Sequence, residues 1–151
     1  MKSNAYLLTH ISLLQHPELV VGDMVKVDLG CHIDGYIAIA AHTVLVGYVA
    51  DPAAPITGPK ADLFHAAYAA AEVAKRMIKP GGSNVKITDA MKKICEAFGV
   101  QSITGTLMHQ MKRYVIDGNK MILLREEAEQ KVDACTFEAN EVYAVDIAVS
   151  R

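Results

Sequence analysis

The dipeptide Asp34-Gly35 constrains the fold of this 151-residue chain most, because it separates two segments of strand character. Residues 24–33 and 36–46 are both rich in valine and isoleucine, which favour strands. Asp-Gly is a strong signal for a two-residue hairpin turn, since both central positions need a positive φ. The sequence therefore predicts an antiparallel hairpin with this dipeptide as its turn.

The predicted register sets Asp28 opposite Ala41 and Gly30 opposite Ile39. Because side chains alternate between faces, Asp28 and Ile39 share one face as diagonal neighbours, roughly 7–8 Å apart at the backbone. Two carboxylates so placed could share a pair of metal ions about 3.5–4 Å apart. Here the second position carries a branched hydrocarbon. The hairpin alone favours a simpler interpretation, in which backbone N–H groups satisfy the carboxylate of Asp28.

Composition sets further limits on the class of protein. The hydrophobic fraction of 52% and the mean hydropathy of +0.20 predict either alanine-rich buried helices or part of a larger fold. No segment approaches the roughly 18 uncharged apolar residues of a membrane span, and no basic-then-apolar N-terminus indicates a signal peptide. The net charge of −2 gives no overall attraction to nucleic acid. Three scattered cysteines indicate reduced thiols in a cytosolic or nuclear protein.

Two helices and two later strands follow the hairpin in the predicted order. Helical spacing of apolar residues predicts helices over residues 61–79 and 88–98, the second beginning at Thr88 as N-cap and ending at Gly99. Strand character returns at residues 120–124 and 142–149. This order predicts an α+β protein, with an antiparallel sheet backed by two helices in a single domain over residues 1–151.

His109 and Asp146 are the other candidate metal ligands. His109 is expected on a loop between the helices and the returning strands, although a lone histidine there is more commonly a surface or core-satisfied imidazole. Asp146 interrupts an apolar run, and a buried acid needs a partner, a metal or hydrogen bonds. Together with Asp28 they would bind a divalent metal only if the fold gathers them.

Several segments carry a family resemblance. They are VKVDLG (25–30), HIDGYIA (32–38), AHT (41–43), HQ (109–110), IDG (116–118) and EVYAVD (141–146). Together they resemble the type II methionine aminopeptidases and, more closely, their non-catalytic relatives, the proliferation-associated, ErbB-receptor-binding proteins. The resemblance covers residues 20–150 and implies a partial pita-bread fold of the aminopeptidase and creatinase type.

The resemblance also implies a damaged metal site. The active enzymes use two hairpin aspartates, one histidine and two glutamates on later strands. Asp28 matches the first aspartate, and Ile39 stands at the second. His109 matches the histidine, and Asp146 stands at the first glutamate. The final glutamate would fall beyond Arg151.

Two further positions correspond to the substrate pocket of the enzymes. Asp117 replaces a substrate-facing histidine, and His10 matches an upstream histidine that contacts substrate. Because both metal-bridging carboxylates are missing, we expect a catalytically inactive pseudo-aminopeptidase. We expect no cofactor, and at most weak binding of a single divalent ion.

The expected function is therefore that of a non-enzymatic scaffold. By resemblance it binds RNA and the ribosome, or protein partners, in the control of growth, translation or transcription, in the cytoplasm and also the nucleus or nucleolus. Two alternatives stay open: an active metal-dependent methionine aminopeptidase, and a degenerate fragment without independent function. The domain is expected to be incomplete and to self-associate through open sheet edges or be held by a partner, with no membrane association.

Overall fold

A computed structural model of the protein describes residues 4–6, 18–49, 51, 53–126 and 128–151. The chain forms two compact units, Met1–Pro55 and Ile56–Arg151. Among the described residues, no helix is long and apolar enough to cross a membrane.

The first unit contains a three-stranded antiparallel sheet in the order β1-β2-β3. The strands are β1 (Asn4–Tyr6), β2 (Met24–Ile33) and β3 (Tyr36–Leu45). Asp34 and Gly35 form the β2–β3 turn with φ values of 51° and 83°, as the hairpin prediction requires. The predicted hairpin is therefore confirmed.

The second unit begins with two helices, α1 (Pro59–Met77) and α2 (Asn84–Phe98), that pack on each other. A proline at the first turn of α1 fits there because its missing N–H has no helical partner. Ala66, Ala70 and Ala74 form the buried stripe of α1, and their small side chains allow close approach of neighbouring elements. The main hydrophobic core contains Ala70, Ala74, Ile87, Met91, Met108, Ile122, Leu124 and Phe137.

The start of α2 differs from the prediction. Ser83, not Thr88, is the N-cap, and Thr88 lies inside the helix, where its hydroxyl donates to the Leu123 carbonyl at 2.8 Å. Thr88 is of a residue type that favours the N-cap, but its hydroxyl bonds to a strand and not to the start of the helix. The other end agrees with the prediction, since Gly99 ends the helix with a left-handed φ of 62°.

Two small antiparallel sheets complete the second unit. One has the order β6-β5-β7, formed by β6 (Met121–Leu123), β5 (Leu107–Met111) and β7 (Val142–Ala144). The other pairs β4 (Gln101–Ser102) with β8 (Val149–Ser150). The predicted strand over residues 142–149 is therefore wrong, because its two ends belong to different sheets. The predicted α+β class, with antiparallel sheets and two helices, is confirmed.

Asn84 joins α2 to the strands. Its buried amide Nδ2 donates to the carbonyls of Met121 at 3.0 Å and Asp133 at 2.9 Å. Its Oδ1 accepts from the backbone N–H groups of Val85 and Cys135, both at 2.9 Å. One side chain therefore satisfies backbone groups on three segments at once.

Candidate functional site

The hairpin holds the first two candidate positions in the predicted register. Asp28 pairs with Ala41 and Gly30 pairs with Ile39, so Asp28 and Ile39 lie on the same face. A Cβ built on Gly30 would lie 3.3 Å from Ile39 Cγ2. The Asp28 side chain is exposed, and Ile39 retains 37% exposure. The hairpin thus presents one carboxylate beside a hydrocarbon that packs over a glycine.

His109 lies within strand β5 and not on a loop, which corrects the prediction. In register it stands between Met121 on β6 and Ala144 on β7. Neither neighbour offers an oxygen or nitrogen side-chain ligand. The strand was missed because the run Leu107–Met111 is short and contains two polar residues.

The His109 ring is held in one orientation. Its Nδ1 lies 2.8 Å from the carbonyl oxygen of Ile116 and 3.4 Å from Asp117 Oδ1. A carbonyl can only accept, so Nδ1 carries the proton and the other ring nitrogen, Nε2, keeps its lone pair in the neutral imidazole. Metal-binding histidines are commonly oriented by the same kind of contact. The orientation of the His109 ring is therefore compatible with a ligand role.

Of the other predicted positions in the second unit, Asp117 lies beside this ring, 3.4 Å from Nδ1. Asp146 lies between β7 and β8 and is exposed, so the expectation of a buried acid in a strand is wrong. Asp117 is close to His109 but is itself 70% exposed. His10 lies outside the described residues. Asp28 and Ile39 belong to the first unit, whereas His109, Asp117 and Asp146 belong to the second.

The donor set does not fit the two-metal centre of the enzymes. Within the described parts of the chain, no group of three or more His, Cys, Asp or Glu side chains is placed to hold a metal ion. By the family resemblance, a bridging carboxylate would stand at position 39 of the hairpin, where this chain has Ile39. A branched hydrocarbon cannot ligate an ion and disfavours a charge beside it.

A polar cluster centred on Glu141 was not singled out from the sequence. Oε1 of Glu141 accepts from Gln110 Nε2 at 2.9 Å and contacts Lys120 Nζ at 2.7 Å. Oε2 accepts from the Tyr143 hydroxyl at 2.9 Å and from the Glu138 N–H at 2.8 Å. Gln110 and Glu141 both lie in the resemblance segments, and that was the available signal.

The cluster shifts the ionisation of its members. Burial opposes ionisation of Glu141, but hydrogen bonds from Lys120, the Glu138 backbone and Tyr143 outweigh it and lower the pKa of this carboxyl. Hydrogen bonds to Glu138 and Glu141 raise the pKa of Lys120. Burial, and then the hydrogen bond to Glu141, raise the pKa of Tyr143. The ion pairs of Lys120 with Glu138 and Glu141 connect the residue before β6 to the segment before β7.

The described elements, a hairpin followed by two helices and short antiparallel strands, agree with the fold of the M24 metallopeptidases. The model of metallopeptidase family M24 matches residues 2–149, and the chain belongs to that family.

Three similarities refine this assignment. Proliferation-associated protein A of Dictyostelium discoideum is 47% identical over 129 residues, which cover 85% of this chain and 33% of that protein. ErbB-3 binding protein 1 of Arabidopsis thaliana is 46% identical over 143 residues, 93% of this chain and 35% of that protein. A solved structure of a thermophilic Arx1 matches with a TM-score of 0.78 and 28% identity, covering 88% of this chain and 40% of that one. The predicted resemblance and the pita-bread-like fold are confirmed, and the chain spans about a third of the length of the curated relatives it matches.

Proposed function

We propose that this chain is a non-catalytic M24 scaffold that binds macromolecular partners and does not cleave peptides. The observation that carries the proposal is Ile39 opposite Gly30 on the face that carries Asp28, where the family resemblance puts the hairpin's second carboxylate. A dinuclear hydrolase needs bridging oxygen ligands to fix its ions and to hold the attacking hydroxide. A hydrocarbon at this position removes one bridge.

The names of two relatives agree with a binding role, since they describe proliferation association and binding to ErbB-3. Less similar relatives are named probable metalloproteases. The family resemblance adds RNA and the ribosome as partners, in the cytoplasm and also the nucleus. We propose the same partner classes for this chain, with no cofactor and at most weak divalent-ion binding.

A second candidate function is methionine removal by a rearranged metal site. The orientation of His109 favours it, because Nδ1 donates to the Ile116 carbonyl and leaves Nε2 available as a ligand. The family name, metallopeptidase, points the same way. In this chain, however, only one of the two hairpin positions 28 and 39 carries a carboxylate, Asp28.

An aminopeptidase assay tests the main proposal. The chain is incubated with a Met-Ala-Ser peptide and Co²⁺ or Mn²⁺, and free methionine is measured. We expect no release above the metal-only blank. Release that disappears in a His109→Ala variant would establish metal-dependent catalysis and overturn the proposal.

Ribosome co-sedimentation across a salt series tests the partner class. Binding through phosphate contacts should weaken steeply as salt rises, because bound counterions are released on association. A chain that binds neither ribosomes nor RNA at low salt would instead support the alternative of a fragment without independent function.

A further inference from the structure

The loop between β5 and β6 presents an unusual surface. Its three consecutive large side chains, Tyr114, Val115 and Ile116, are 69%, 43% and 49% exposed. Lys112 and Arg113 precede them directly and are also exposed. The loop therefore combines apolar area with two positive charges on one short segment, residues 112–116, which we call the KRYVI loop.

The KRYVI loop is held firmly by its own backbone. Lys112 and Val115 exchange two backbone hydrogen bonds, each 2.9 Å long. The Ile116 carbonyl accepts from His109 Nδ1 at 2.8 Å, and the Gly118 N–H donates to the Gln110 carbonyl at 2.7 Å. Because the loop is already ordered, it would lose little further conformational entropy when a partner binds.

The Tyr114 side chain is exposed and lies beside Arg113. Tyr114 has a φ of 62°, which is uncommon for a residue with a large side chain. The Arg113 guanidinium carbon lies 5.2 Å from the ring centroid, within the range of a cation–π contact. Tyrosine and arginine are the residue types most enriched among those that dominate binding energy in protein interfaces.

The chemistry of the KRYVI loop favours a protein over a nucleic acid. Nucleic-acid binding needs several phosphate contacts along a basic surface, whereas this loop offers two basic residues beside two aliphatic ones. Val115 and Ile116 can neither stack on a base nor pair with a phosphate. Exposed apolar area rimmed by charge marks protein-interaction sites, and the rim here has two positive side chains, Lys112 and Arg113, against one negative side chain, the 70% exposed Asp117.

We propose that the KRYVI loop docks a protein segment that carries acidic residues beside large apolar ones. This inference rests on the proposed scaffold function and assigns one of its contact surfaces. Apolar side chains of the partner would cover Tyr114, Val115 and Ile116, and its carboxylates would face Lys112 and Arg113. A contact centred on one loop is smaller than a standard interface of about 1,200–2,000 Å², so the complex is weak and transient.

The test uses NMR titration of the ¹⁵N-labelled full chain with short peptides in which glutamate alternates with leucine and phenylalanine. We expect shift changes concentrated at residues 112–118. Tyr114→Asn removes the ring while keeping a residue that tolerates positive φ. It and the charge reversal Arg113→Glu should each weaken binding about tenfold or more. Tyr68→Ala is the matched control, since Tyr68 is a 70% exposed tyrosine on α1, and it should bind like wild type.

Several outcomes would overturn the assignment. Equal binding of peptides with lysine in place of glutamate would show that the loop does not select acidic residues. Tighter binding of an oligouridine at the same amides would show that the loop is a nucleic-acid contact. Peptide binding that leaves residues 112–118 unperturbed, or no binding at all, would also refute it. Each of these results leaves the scaffold function standing, whereas methionine release would overturn the scaffold function without testing the loop.

Discussion

Gly30 and Ile39 face each other across the β2–β3 ladder. A Cβ atom added to residue 30 would lie 3.3 Å from Ile39 Cγ2. The absence of a side chain on Gly30 gives the isoleucine room to lie over the strand that carries Asp28. By the family resemblance, the same position would hold the second carboxylate of a metal-binding hairpin. In the proposed function, Ile39 is therefore the residue that distinguishes this chain from an enzyme.

Replacing this isoleucine by an acid should create metal affinity. In Ile39→Asp the new carboxylate and Asp28 are diagonal neighbours on one face, and two carboxylates so placed can share a hard cation. We expect Mn²⁺ binding to strengthen about tenfold or more relative to the unmodified chain, as measured by isothermal titration calorimetry. Ile39→Asn is the control because it has a similar shape without the charge. Equal Mn²⁺ affinity in both variants would show that charge at this position does not control binding.

Removing the carboxylate at the centre of the polar cluster should destabilise the second unit. Glu141 is 13% exposed and accepts from Gln110 and Tyr143, which Glu141→Ala leaves without a partner. Leaving buried donors unsatisfied costs about 1–3 kcal/mol in the free energy of unfolding. Urea denaturation of wild type and Glu141→Ala measures this loss of unfolding free energy.

Glu138→Ala provides the matched comparison for that experiment. Glu138 contacts the same Lys120 at 2.8 Å, but its side chain is 75% exposed. An exposed ion pair is screened by water and salt, so Glu138→Ala should lower the free energy of unfolding much less than Glu141→Ala does. A larger loss for Glu138→Ala than for Glu141→Ala would contradict the central role of Glu141.

The cluster also predicts how stability depends on pH. The folded pKa of Glu141 lies below its ordinary 4.5, so its contribution is present above pH 4.5 and is lost as pH falls through the folded pKa. The folded pKa values of Lys120 and Tyr143 lie above 10.5 and 10.0, so their contributions are present below those values and are lost as pH rises through the folded pKa. The stability difference between wild type and Glu141→Gln should therefore be largest between these limits. Denaturation at a series of pH values measures it, and a difference independent of pH would disprove the linkage.

The hairpin could be predicted from the sequence because its signals are local. Asp34-Gly35 supplies both positive φ values, and a two-residue turn fixes every later pair, including Asp28 with Ala41. The side chain at position 39 follows from that register alone. No long-range information is needed for the candidate positions on the hairpin.

The candidate positions of the second unit depend on long-range contacts, and there the sequence was insufficient. His109 lies on a strand whose partners, Met121 and Ala144, come from later parts of the chain. Thr88 resembles a helix cap, but its hydroxyl bonds to Leu123, 35 positions away. Glu141 has no local pattern at all, because its importance comes from donors gathered by folding.

Asn84 should be among the polar residues most sensitive to substitution. It is 4% exposed and makes four hydrogen bonds, to Met121, Asp133, Val85 and Cys135. Asn84→Ala leaves these backbone groups unpaired and should lower the free energy of unfolding by about 2–4 kcal/mol. Asn84→Asp keeps the acceptor but loses the two donated bonds, so it should rescue little. Thermal unfolding followed by circular dichroism distinguishes the variants, and a loss below about 0.5 kcal/mol for Asn84→Ala would show that water replaces the amide.

The outer edge of β3 predicts self-association. Among the described residues, β3 has a neighbouring strand on one side only, and its ten residues contain no Lys, Glu, Asp or Pro to protect the open edge. In an antiparallel hairpin, hydrogen-bonded and non-hydrogen-bonded pairs alternate, and the pair beside a two-residue turn, Ile33 with Tyr36, is hydrogen-bonded. Asp28 and Ala41 are therefore a non-hydrogen-bonded pair, and the Ala41 N–H points to the open edge. Ala41→Pro therefore removes an edge donor without breaking a hairpin bond. We expect wild type to show concentration-dependent dimers in analytical ultracentrifugation, and Ala41→Pro to shift the equilibrium toward monomer. Ala41→Thr keeps the N–H and should dimerise like wild type. A wild-type chain that is monomeric at every concentration would show that the edge does not pair.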